Sequence, residues 1–113
     1  MMEQLLIQLA RRAHNDQIVA AHVLVSGIRL LVYPVNTGLI VCMGFGADLA
    51  YRVHPESLLQ KRSVDMSRFG VWLPVLFLDG SFYVVRRIDG FNPASDVAVL
   101  TEEDLMIAQE LIS

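Results

Sequence analysis

The chain has 113 residues, net charge −3 and a single cysteine, with 54% hydrophobic residues and a mean hydropathy of +0.47. One domain, 1–113, is the size this length supports. The charge balance excludes a nucleic-acid binder of the usual basic kind: Arg11–Arg12, Lys61–Arg62 and Arg86–Arg87 are isolated pairs, and phosphate affinity needs clustered cations. No apolar run reaches the roughly 20 residues that cross a bilayer. The one thiol, Cys42, forms no internal disulfide, and no leader-like block opens the sequence, so a reducing cytoplasm is expected.

Residues 2–14 read as a helix: Leu5, Leu6, Leu9 and Ala13 recur at steps of three and four, with Ile7 at the edge of the stripe. His14-Asn15-Asp16 is the expected stop. Three strands follow, Ile18–Val25, Ile28–Tyr33 and Leu39–Phe45, separated by Ser26-Gly27 and by Pro34–Gly38. Connections this short force antiparallel neighbours. Asp48–Val53 fits either a strand continuation or a helical turn, and a helix is expected from about 55 to 68 with Pro55 at its start. Leu73–Leu78, Asp79-Gly80 and Ser81–Ile88 form a hairpin, for which Asp-Gly suggests a type I′ turn. Pro74 belongs at a strand start or sheet edge. Asp89–Ala94 is a loop containing Gly90 and Pro93. Thr101 caps a last helix whose first turn holds Glu102, Glu103 and Asp104 and whose stripe is Leu105, Ala108, Leu111 and Ile112. The fold class is α+β: one antiparallel sheet with helices packed on it, in the order α-β-β-β-α-β-β-α.

No pattern in the sequence carries chemistry. His14, His22, His54 and Cys42 have no ligand spacing, so no metal is expected, and His22 reads as a hydrogen-bonded histidine in an apolar strand. Cys42, between Val41 and Met43, reads as a buried inert thiol. Gly44-Phe45-Gly46 lacks the third glycine and the lysine of phosphate loops and fits a bulge or bend. No catalytic residue and no cofactor is assigned, and a non-enzymatic role is expected.

What survives is an excess of apolar surface for so small a domain, which implies an interface. Alternation puts Val75 and Phe77 on one face of their strand and Leu76 and Leu78 on the other, so both faces should be covered.

The element order, the acidic chain and the segment LPVLFLDGSFYVVRRI at 73–88 resemble the class I chaperones of type III secretion systems, and LLIQLARR at 5–12 is similar to that family's opening helix. The resemblance implies a cytoplasmic homodimer that holds a segment of a secreted effector in extended form, by apolar grooves and strand addition. It implies client contacts at Leu5, Leu9, Val23 and Val25, and a two-fold interface through Phe69, Trp72 and Leu76. Two alternatives stand beside it: a chaperone-like regulatory protein that binds a folded partner of the same system, and a small enzyme whose site is assembled from residues distant in sequence.

Overall fold

The computed structural model describes residues 2–92, 94 and 100–113. The elements are α1 (Met2–Asp16), β1 (Ala20–Val23), β2 (Arg29–Val35), β3 (Gly38–Phe45), a short 3-10 turn (Ala50–Arg52), α2 (Pro55–Val64), α3 (Met66–Phe69), β4 (Leu73–Leu76), β5 (Phe82–Asp89) and α4 (Glu102–Ile112). The sheet is fully antiparallel, with strand order β1-β2-β3-β5-β4. This is the α+β architecture expected from the sequence. Pro93 lies outside the described residues.

α1 runs through Asp16 and stops at Gln17, whose φ of 52° is left-handed. The Ile18 N–H then returns to the Ala13 carbonyl at 3.3 Å, as in a Schellman closure. β2 continues through Pro34 to Val35, further than the sequence suggests, because β1 begins only opposite Val32 and leaves that stretch of β2 without a neighbour on one side. The expected middle helix is broken in two at Asp65 (φ −136°, ψ 68°). The Asp65 carboxylate accepts from the Ser67 hydroxyl at 2.9 Å, a local bond that competes with helix continuation. Arg62 bridges the break's far side, donating to the carbonyls of Gly70 at 3.0 Å and Trp72 at 3.1 Å.

The Asp-Gly hairpin forms, but its turn is not type I′. Gly80 alone has positive φ (91°), the Gly80 N–H donates to the Phe77 carbonyl, and the Phe77 N–H donates to the Ser81 carbonyl. The loop is therefore a type I turn closed by a glycine bulge, the three-residue hairpin form. Asp79 accepts from both the N–H and the hydroxyl of Ser81, and these bonds hold its carboxyl below the ordinary range. The β1–β2 hairpin repeats the design: Gly27 (φ 92°) donates to Leu24, and Leu24 donates to Ile28.

Opposed residues of an antiparallel sheet share a face. The inner face holds Leu30, Val32, Leu39, Val41, Met43 and Val84, all at 0% exposure. It is covered by Leu6, Leu9, Ala10 and Ala13 of α1 and by Leu105, Ala108, Leu111 and Ile112 of α4. On the opposite face of β3, Gly44 is required by packing: a Cβ on it would stand 2.0 Å from the Phe82 carbonyl oxygen of β5.

α4 is fixed at both ends. Thr101 Oγ1 accepts from the Asp104 N–H while the Asp104 carboxylate accepts from the Thr101 N–H, a capping box. The N-termini of α1 and α4 meet, and each caps the other: the Glu3 N–H donates to Glu102 at 2.7 Å and the Glu102 N–H donates to Glu3 at 3.0 Å. The bond from the Glu3 N–H lowers the Glu102 carboxyl below its ordinary range. At the other end Lys61 Nζ donates to the Glu110 carbonyl at 2.8 Å. Thr101→Ala should lower stability in urea unfolding by about 1 kcal/mol with no change in the slope of the transition.

Candidate protein-interaction surface

The other face of the sheet belongs to no helix. In register, its rows are Val23, Arg29, Gly44, Tyr83 and Val75, then Ala21, Leu31, Cys42, Val85 and Leu73, then Tyr33, Ile40 and Arg87, and last Val35, Gly38 and Asp89. None of these residues belongs to the buried core cluster. Eleven are apolar or tyrosine, counted from those rows, whereas a sheet with one wet face normally alternates apolar inside and polar outside. The charges present are largely satisfied at the margin: Arg87 pairs with Asp89 at 2.8 Å and donates to Thr37 at 2.9 Å.

The centre of this face carries a shallow cup of about 350 Å³ lined by Tyr33, Ile40, Cys42, Val75, Phe77 and Val85. Phe77, at the start of the Asp79-Gly80 loop, leans on Tyr83 with ring centroids 4.8 Å apart. Ile40 and Val85 also border a second depression, of about 530 Å³, that extends past Leu73 to Val71 and Arg87. Burial raises the Tyr33 hydroxyl above its ordinary value. Cys42 is 1% exposed and burial pushes its thiol up to about 12, the inert setting expected from the sequence.

The sequence-expected contact residues scatter. Phe69 (3% exposed) and Trp72 (0%) are packed inside the protomer's own core, so neither side chain presents a surface for a two-fold interface. The Arg86 guanidinium stands 5.9 Å from the Trp72 ring centroid and pairs with Asp104 at 3.8 Å, joining β5 to α4 across that core. Leu76 is 69% exposed, on the edge strand. Leu9 is buried and Leu5 half-buried beneath α1, on the inner side of the sheet; Val23 faces the outer side and Val25 stands fully exposed at the hairpin tip. The structure thus brings Val23 and Val25 close together and separates them from Leu5 and Leu9 by the sheet. β4 is not covered on both sides within the chain: Leu73, Val75 and Leu76 are all exposed, and Leu78 lies in the loop, not on the strand.

The outer-face residues Leu31, Tyr33, Ile40 and Val85 escaped the sequence reading. Their signal was the unbroken apolar run of β2 and β3, which marks a strand apolar on both faces. His22 is exposed on edge strand β1, not enclosed in an apolar setting as its neighbours suggested. Its strand is the outermost one, so one flank is open. His14 and His54 are exposed too, and among the described residues no three His, Cys, Asp or Glu side chains are grouped as a metal would need. No helix among them is long and apolar enough to cross a membrane.

Comparisons with protein-family models, with curated proteins and with solved structures find no match to this chain.

A thiol reagent such as dithionitrobenzoate at pH 8 should leave Cys42 unmodified in the native protein and release one equivalent of product in denaturant. Rapid native reaction would mean that the outer face opens at Cys42.

Proposed function

We propose that this chain is a protein-binding domain of chaperone type, working without catalysis, whose outer sheet face receives an apolar segment of another protein. The observation that supports the reading is the uncovered apolar face centred on Tyr33, Ile40, Cys42 and Val85. The face is half-buried at Tyr33, Ile40 and Val85 and exposed at Val23, Leu73 and Val75, and contiguous apolar surface left without a covering element marks interaction sites. The depressions around Ile40 and Val85 supply pockets for alternate side chains of an extended segment. Together with the resemblance of residues 73–88 to class I type III secretion chaperones, this gives the specific form of the proposal: a cytoplasmic chaperone of a type III secretion system that keeps a secreted effector segment extended.

The breadth of the same face favours a second reading. It spans all five strands, an extent that also fits a folded partner. On that reading the chain is a chaperone-like regulator of the same system.

A tiled array of peptides from the N-terminal segments of type III effectors separates the two. The chaperone reading predicts binding of apolar, extended segments, weakened by roughly tenfold or more in Ile40→Asp or Val85→Asp, whose new charge would have to be desolvated at the contact. Binding to a folded component, with no peptide retained, would support the regulator. Peptide binding indifferent to both substitutions would remove the outer face from the account.

A further inference from the structure

A sheet edge presents unpaired main-chain groups that template further strands, and natural edges are commonly blunted. The two edges of this sheet differ. At β4 the Phe77 N–H bonds the Ser81 carbonyl at 2.8 Å, so by alternation Val75 and Leu73 also aim their main-chain groups at β5. Pro74 and Leu76 aim theirs outward, and Pro74 has no N–H to offer. The β4 edge is therefore blunted.

At β1 the Leu24 N–H bonds the Ile28 carbonyl at 2.8 Å, so His22 and Ala20 bond β2 while Ala21 and Val23 aim outward. The segment Val19–Val23 carries no proline, no lysine, no carboxylate and no bulge, and Val19, Ala21, His22 and Val23 are all exposed. Apart from its shortness, four residues, this edge carries none of the usual defences.

We propose that the β1 edges of two copies of this chain pair antiparallel about a two-fold axis at Ala21. The segment is nearly palindromic about that residue. Pairing sets Ala21 against Ala21 of the second copy, Val19 against Val23 and Ala20 against His22, with no like formal charges opposed at neutral pH. This self-complementarity is what selects a second copy as the occupant over a strand from another protein. The pairing adds about six main-chain hydrogen bonds. α1 packs over β1 and β2, so the two copies' α1 helices would lie about 10 Å apart at ~4.8 Å per strand. Packed helices stand about 8–10 Å apart, so the pairing brings the two α1 helices to packing distance without overlap. Ala21 and Val23 lie on the outer face, and the product is one ten-stranded sheet whose apolar outer faces run together. The inference stands apart from client binding, since it needs no client to be observed.

Cysteine cross-linking in the full chain reads the register directly. Opposed residues of a hydrogen-bonded antiparallel pair have Cα atoms about 5.5 Å apart, within the roughly 4.4–6.8 Å that a disulfide spans. Ala21→Cys should give a covalent dimer with oxidised glutathione. Val23→Cys should not, because two copies of position 23 are separated by about 14 Å or more along the strands. Cys42, at 1% exposure, contributes no background. Adding Val23→Lys to Ala21→Cys should abolish the cross-link, with circular dichroism confirming that each variant is folded. Equal cross-linking of the two single variants, no cross-link at position 21, or a cross-link from Leu76→Cys in its place would overturn the proposal.

Discussion

Everything outside the core of this protein follows from one constraint: its central strands are apolar on both faces, and its helices cover only one. β3 is the clearest case. Leu39, Val41 and Met43 are sealed under α1 and α4, while Ile40 and Cys42, between them in sequence, look the other way. A sheet of this kind is usually sandwiched. Here no helix supplies the second layer: Cys42 and Tyr83 are buried by their neighbours, Leu31, Tyr33, Ile40 and Val85 stay half-buried, and Val23, Leu73 and Val75 are exposed, forgoing about 25 cal/mol for each Å² left unburied.

The same constraint arranges the periphery. Because the outer layer is missing, the sheet's ends and edges are handled by local devices. Two hairpins of one design close the same end of the sheet, each placing a fully exposed aliphatic residue, Val25 and Leu78, at its tip. Pro74 blunts one edge, and the other has only the shortness of β1 to blunt it. The covered side is correspondingly over-determined: α4 is held by a capping box, by reciprocal capping with α1, by Lys61 at its last turn and by an Arg68–Glu110 pair at 2.6 Å. The inner half is thus the half that is pinned, and the outer half is left without a covering layer, the division that the proposed binding role would use.

How much of this was legible in the sequence depended on range. Local signals were reliable. The α4 cap at Thr101 and its stripe through Ile112 came out as read, as did Pro55 at the start of α2 and the inert Cys42. Signals shared by two local structures were not decisive: Asp-Gly serves a type I′ turn and also a type I turn with a glycine bulge, and only Gly80 took positive φ. Long-range facts were out of reach. β5 inserts between β3 and β4, so which strands become edges cannot be read from chain order. Nor does the sequence say which aromatic residues face in; Phe69 and Trp72 went into the core, and the large apolar residues left exposed on the outer face are Val23, Leu73 and Val75 of the edge strands.

The most direct test compares the two faces by stability. Replacing Val85 or Ile40 by Thr removes apolar character while keeping β-branching, and Val41→Thr does the same on the covered face. If the outer face has no role within the protomer, Val85→Thr and Ile40→Thr should each shift the unfolding free energy by less than about 0.5 kcal/mol, as surface changes do. Val41→Thr should cost about 1–3 kcal/mol for its buried hydroxyl. Equal losses on both faces would contradict the account, because they would show the outer face already covered in the isolated chain.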